Sequence, residues 1–130
     1  TCGCSQILIT DRGTFFGYNN LVSDMTCFPI MKKSGYPVCF DATHSVQHPT
    51  SMGNTSGGQR EYIPYLVRSA VACGINSLFM EVHDSPSQAL SDSNTVLDIQ
   101  YLDQILNQAK EIHELRLEQL KIYGEDNVHT

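Results

Sequence analysis

Apolar residues run unbroken in three short stretches of the 130-residue chain and recur at helical spacing in the segments between them. Ile7-Leu8-Ile9-Thr10, ended by Asp11-Arg12-Gly13, predicts a buried strand, because a strand covered on both faces shows no polar alternation. Pro37 to Asp41 predicts a second strand and Ser77 to Val82 a third. After the first, Leu21, Val22, Met25 and Phe28 hold helical spacing until Pro29, with one more turn over Ile30 to Lys33 before Ser34-Gly35 stops it. After the second, Ile63, Leu66, Val67, Ala70 and Val71 form an i, i+3, i+4 stripe, and Gly74 stands where a C-terminal cap belongs. A last amphipathic helix runs from about Asp98 to Tyr123 on Leu102, Ile105, Leu106, Ala109 and Ile112, followed by a polar tail from Gly124 to Thr130. Ser45 to Gly58 is a long stretch of Ser, Thr, Gly, Asn and Pro, the composition and length of a binding loop or lid.

Apolar strands alternating with helices predict a parallel sheet covered on both faces or closed into a barrel. Three units cannot close a barrel, and eight take roughly 250 residues. On a barrel reading, residues 1–130 are one segment of a single larger domain. The first residue is Thr rather than Met, which fits a partial translation product. The open-sheet alternative lacks its usual mark, a G-x-G-x-x-G turn between strand and helix.

Composition narrows the partners more than the fold. A formal charge of -6 with no basic cluster argues against nucleic acid. No apolar run reaches the roughly 18 residues of a membrane span, and Thr1 to Gln6 lack the features of a signal peptide, so a soluble cytoplasmic protein is expected. The five cysteines (Cys2, Cys4, Cys27, Cys39, Cys73) show no CxxC pair and read as free thiols. Cys2-Gly3-Cys4 has no later partner pair to complete a zinc site.

The polar residues gather at the strand ends: Asp11-Arg12 after the first, Asp41-Ala42-Thr43-His44 after the second, Glu81-Val82-His83-Asp84 after the third. In a β/α barrel those ends meet at one mouth. His44, Glu81 and Asp92 together offer one imidazole nitrogen and two carboxylates, a donor set for manganese, iron or zinc. Two of them also have a plainer reading: His44 as a hydrogen-bonded strand-end histidine, Asp92 as the N-cap of the last helix. His83 shares a strand face with Glu81 and competes with His44. Arg12 can hold a phosphate or carboxylate, or can pair with Asp11 or Asp41. Ser56-Gly57-Gly58 ahead of a helix offers backbone N–H groups to an anion, as well as simple flexibility.

Five segments, DRGTFFGYNNLVSDM (Asp11 to Met25), FDATHSVQ (Phe40 to Gln47), SGGQRE (Ser56 to Glu61), LFMEVH (Leu78 to His83) and ALSD (Ala89 to Asp92), resemble the 3-deoxy-D-manno-octulosonate 8-phosphate synthases, in that family's order and across nearly the whole chain. The resemblance implies a (β/α)8 TIM barrel of which this chain holds about the last three β/α units. It implies condensation of phosphoenolpyruvate with D-arabinose 5-phosphate in lipopolysaccharide sugar biosynthesis, usually by a homotetramer. It also implies roles. Arg12 would hold the phosphate of phosphoenolpyruvate, and Gln47 and Ser56 would lie on the loop over the sugar phosphate. His44 and Asp92 would be catalytic, His44, Glu81 and Asp92 would hold a divalent metal, and His83 would stand behind them. Leu90-Ser91-Asp92-Ser93-Asn94 resembles the metal-dependent kind rather than the Cys-Asp-Gly-Pro of the metal-independent kind. The cysteine position that separates the two kinds has no counterpart among these residues. The 3-deoxy-D-arabino-heptulosonate 7-phosphate synthases are the nearest alternative, but they tend to carry Pro-Ser-His where this chain has Ala42-Thr43-His44. Lacking five strands and their phosphate-gripping lysines, the 130 residues alone are expected to be inactive, leaving a non-catalytic binding module as the other class of reading.

Overall fold

The structure is a computed structural model that describes residues 3–49 and 57–124. In chain order the elements are β1 (Ile9–Asp11), β2 (Thr14–Gly17), β3 (Asn20–Val22), α1 (Cys27–Lys32), β4 (Val38–Asp41), β5 (Gln47–His48), β6 (Gly57–Gly58), α2 (Ile63–Ala72), β7 (Ser77–Phe79), β8 (Val82–His83), β9 (Leu97–Asp98) and α3 (Leu102–Tyr123). The sheet that organises them has the order β1-β4-β7, all parallel. Consecutive strands that lie side by side, each followed by a helix, are the arrangement of neighbouring units in a (β/α)8 barrel, and the chain forms an arc of that fold.

The middle strand is buried at all four positions, which explains its unbroken apolar run. Phe40 packs edge-on against Phe28 of α1, with ring centroids 5.7 Å apart and planes at 84°, and both rings are fully buried. On the other side of the core, Ile63, Val67 and Ala70 of α2 and Ile105 of α3 complete one continuous cluster. Pro64 sits in the first turn of α2, where its missing N–H costs nothing. Gly74 ends that helix at φ +82° and donates its N–H to Val71, while the Arg116 guanidinium of α3 lies over it.

The helix expected across Leu21, Val22, Met25 and Phe28 does not form as one element. Residues 14–22 fold instead into the antiparallel hairpin β2–β3, and only Cys27–Lys32 is helical. The reason is the two-residue turn Tyr18-Asn19, whose φ values of 57° and 55° give the twist that a tight hairpin needs. Pro29 does not stop α1, because it falls in the first turn, where no intrahelical N–H is required. The first strand begins at Ile9 rather than Ile7, and the third breaks after Phe79, so that Glu81 lies just before β8, which pairs with β9. The 45–58 stretch is not wholly irregular. Gln47–His48 pairs with Gly57–Gly58 at its base. The last helix starts at Leu102 after a 3-10 turn that Asp98, not Asp92, caps by accepting the N–H of Gln100. Of the tail, residues 125–130 lie outside the described residues. Among the described residues no helix is long and apolar enough to cross a membrane.

Two consequences follow from this packing. Phe40→Ala would leave a cavity beneath Phe28, and a loss of about 3–5 kcal/mol is expected in urea unfolding. Cys27 is held as a thiol: burial, then the Asp11 and Asp24 carboxylates, push its pKa up to about 12. Because the shift is upward, the group stays protonated throughout the neutral range. Iodoacetamide at pH 8 should label exposed Cys4 first and spare Cys27 until the chain is unfolded, which mass spectrometry of quenched samples would read.

Candidate metal and anion site

The site assembles where β4 and β7 end. Asp41, the last residue of β4, accepts the backbone N–H of His44 at 3.0 Å and lies 2.7 Å from His44 Nδ1 through its second oxygen. A carboxylate can only accept, so Nδ1 is the donor nitrogen and Nε2 is the one left facing outward. Nε2 lies 3.7 Å from Glu81 Oε1. Thr43, fully buried, accepts the Glu81 backbone N–H on its hydroxyl at 2.8 Å and ties the two strand ends together. The His44 ring stacks on Phe79, centroids 6.1 Å apart and planes at 22°, which leaves its orientation little freedom.

Asp92 comes to the same place from a turn, not a strand. Its φ is +52°, and its carbonyl takes the N–H groups of Thr95 and Val96 at 2.8 and 2.9 Å. Aspartate tolerates that left-handed conformation better than most residues because its short side chain bonds locally. Ligand atoms of His44, Glu81 and Asp92 then lie within 4.8 Å of one another. Donors bound at about 2.1 Å around one ion stand some 3–4 Å apart, so this nitrogen and these two carboxylates fit a divalent cation. The carboxylate behind His44 is the usual device for fixing a ligating imidazole.

Arg12 forms no ion pair with Asp11 or Asp41 among the described residues. Its guanidinium donates to Gln47 Oε1 at 2.9 Å, and Gln47 Nε2 donates to Asp92 Oδ1 at 2.5 Å. Arg12 and Gln47 line an open cavity of about 550 Å³ with Gly13, Phe15, Leu21 and Pro49. His83 is engaged locally: its Nδ1 accepts the Ser85 N–H at 2.8 Å and lies 2.9 Å from Asp84, and of the two candidate histidines it is His44 whose ring joins Glu81 and Asp92 in the cluster. Asp92 is not a helix cap, which removes its plainer reading. Ser56 lies outside the described residues, as does Cys2. Asp41 and Thr43 carry the site from behind and were not singled out in the sequence. The signal available for Asp41 was its spacing of three from His44.

Residues 1–118 match the family described as the DAHP synthetase I family. The chain belongs to that family. All of the site residues fall inside the matched span. Among curated relatives, the "2-dehydro-3-deoxyphosphooctonate aldolase" of Protochlamydia amoebophila is 58% identical over 113 residues, covering 87% of this chain and 41% of the relative. The protein of the same name from Geotalea uraniireducens is 56% identical over 110 residues, covering 85% of this chain and 40% of the relative. This chain thus spans about two fifths of the length of the curated relatives it matches. Among solved structures, a phospho-2-dehydro-3-deoxyheptonate aldolase (DAHP synthase) from Thermotoga maritima superposes with a TM-score of 0.68 at 29% identity, over 83% of this chain and 29% of that one.

Within this DAHP synthetase I chain the aspartate behind the imidazole gives a direct test. Asp41→Asn should weaken Mn²⁺ binding about 10- to 100-fold, because the amide no longer enforces the Nδ1–H form. Calorimetric titration checks this. Unchanged affinity with an unchanged melting curve would mean that the Asp41 carboxylate does not support a ligand at His44.

Proposed function

We propose that these residues form the metal and phosphoenolpyruvate half of an active site that condenses phosphoenolpyruvate with D-arabinose 5-phosphate and water, giving 3-deoxy-D-manno-octulosonate 8-phosphate and phosphate, in the cytoplasm and toward lipopolysaccharide sugar. The observation that carries the reading is the convergence of His44, Glu81 and Asp92 next to the Arg12–Gln47 pair. The names of the relatives at 52–58% identity support the choice of aldose.

In this reaction C3 of phosphoenolpyruvate bonds to the aldehyde carbon, water adds to C2, and the C2–O bond breaks as phosphate leaves with its electron pair. Two phosphorylated anions must be held together, so positioning and charge compensation carry most of the catalysis. Arg12 binds the phosphate of phosphoenolpyruvate, its planar donors matching phosphate oxygens. Gln47 and Ser56 are assigned to the side of the sugar phosphate. His44, Glu81 and Asp92 hold manganese, iron or zinc, and His44 and Asp92 touch the reacting atoms. A divalent cation held there supplies Lewis acidity to the aldehyde oxygen. Asp41 holds the His44 ring by Nδ1 and so turns Nε2 toward Glu81, and Thr43 fixes the backbone of Glu81. The assembly is taken to be a homo-oligomer.

The related heptulosonate reaction is the second reading, favoured by the name of the Thermotoga structure and the family description. Activity is assigned to a complete barrel, and the 130 residues alone should show no turnover. A chimera in which this chain replaces the corresponding two fifths of the Protochlamydia relative separates the readings. Phosphate release is expected with arabinose 5-phosphate, with at least a tenfold lower kcat/KM for erythrose 4-phosphate, a difference of about 1.4 kcal/mol. Preference for erythrose 4-phosphate would transfer the assignment to the second reading. Turnover by the 130 residues alone would overturn the requirement for a complete barrel.

A further inference from the structure

Gln47 stands between two groups of opposite charge and bonds to both. Its Oε1 accepts from Arg12, 35 residues away, and its Nε2 donates to Asp92, 45 residues away. A guanidinium only donates and a carboxylate only accepts, so a neutral bridge between them needs an acceptor at one end and a donor at the other, which a primary amide provides. With one amide between them, the guanidinium nitrogen and the carboxylate oxygen lie no more than about 8 Å apart, within range of direct pairing after a change of rotamer.

The placement of the amide is itself constrained. Gln47 follows the 3-10 turn His44–Val46 directly, so its backbone is fixed relative to the imidazole. Its cross-strand partner Gly58 lies so close to Thr95 that an added Cβ would stand 2.1 Å from the threonine methyl. Arg60, just beyond, donates to the Ser93 carbonyl. The strand pair β5–β6 therefore grips the 92–95 turn at Asp92 and Thr95, and Arg60 beyond it holds Ser93.

We propose that Gln47 is a positioning residue that keeps Arg12 and Asp92 apart, so that the guanidinium stays available to an anion and the carboxylate to a cation. Without the spacer the two charges pair with each other and neither ligand is served. The inference rests on the reading of Asp92 as a cation ligand and Arg12 as an anion ligand. It adds a coupling between them that the ligand set alone does not contain.

The test uses the full chain carried in the barrel chimera, with Mn²⁺ affinity measured by calorimetry and folding checked by thermal melting. Gln47→Met, similar in size but unable to bridge, is expected to weaken Mn²⁺ binding about tenfold, the scale of lost support behind a ligand. Arg12→Met in the same chain should restore it to within about threefold of the starting value, because no guanidinium remains to capture Asp92. A double variant no better than Gln47→Met alone would overturn the inference and leave the metal reading standing. Absence of Mn²⁺ binding by the unsubstituted protein would overturn both. If Gln47→Met does not fold, Gln47→Glu decides: it should draw Arg12 into an ion pair and weaken inorganic phosphate binding about tenfold while Mn²⁺ binding is no weaker. Unchanged phosphate affinity in that variant would equally overturn it.

Discussion

The pairing of β4 with a parallel neighbour on each side is what the rest of the structure depends on. It aligns Asp11 with Phe40 and Asp41 with Phe79, so the last residue of each strand lands on one rim. A slip of one residue would turn Asp41 to the opposite face of the sheet and take its carboxylate away from His44. The three-residue apolar run Val38–Phe40 of β4 and the Phe28–Phe40 contact oppose that slip, since it would break the packing of the two rings. The chemistry at the rim therefore inherits its precision from apolar packing below it. Thr43, fully buried and bonded to the Glu81 N–H, extends the alignment beyond the last ladder bond to the residue where it matters.

Charge at that rim is arranged so that no carboxylate is left without a task. Asp41 is nearly buried, and burying an ionised carboxylate costs several kcal/mol unless hydrogen bonds offset it. The His44 backbone N–H and ring N–H supply two such bonds. Glu81 and Asp92 lie closer to solvent and next to an imidazole that cannot donate to both. Asp92 is partly satisfied by the Gln47 amide, a neutral donor that supports the carboxylate without discharging it. A positively charged donor in the same place would offset more of its energy and end its usefulness as a ligand. The neutral group is the weaker partner, and for that reason it is compatible with function.

How much of this was legible in the sequence follows from which signals are local. The three strands and the last two helices were, because unbroken apolar runs and an i, i+3, i+4 stripe report burial directly. So were His44, Glu81 and Asp92 as a set and Arg12 as a strand-end cation, although it was the family resemblance that chose among their alternatives. The β2–β3 hairpin was hidden because Leu21, Val22, Met25 and Phe28 happen to match a helical period, while the deciding feature is a pair of positive φ values at Tyr18 and Asn19. Tyrosine gives little warning of such a turn. The place of His83 was illegible from spacing: alternation along a strand cannot separate Glu81 from His83, and what separates them is that the His83 ring bonds to the Ser85 N–H and lies beside Asp84, while His44 lies beside Glu81. The bridge from Arg12 to Asp92 spans three separate segments and has no sequence period at all.

Asp92 shows why the missing part was missed and also why it works. A ligand on a strand is positioned by the sheet, whereas one on a turn needs bonds of its own. Asp92 has them from three directions: its carbonyl receives Thr95 and Val96, its side chain receives Gln47, and its neighbours Ser93 and Thr95 are held by Arg60 and by contact with Gly58. The left-handed backbone at Asp92 costs on the order of 1–2 kcal/mol, and these contacts are what hold it there. One of the three, Gln47, comes from the segment that also carries His44, and its strand partner supplies Gly58, so this strand pair fixes the distance between the imidazole and the carboxylate. The cluster is thus joined along three sides: His44 to Glu81 through the sheet and Thr43, His44 to Asp92 through the Gln47 strand pair, and Glu81 to the Asp92 turn through the Leu97 N–H that its carbonyl accepts.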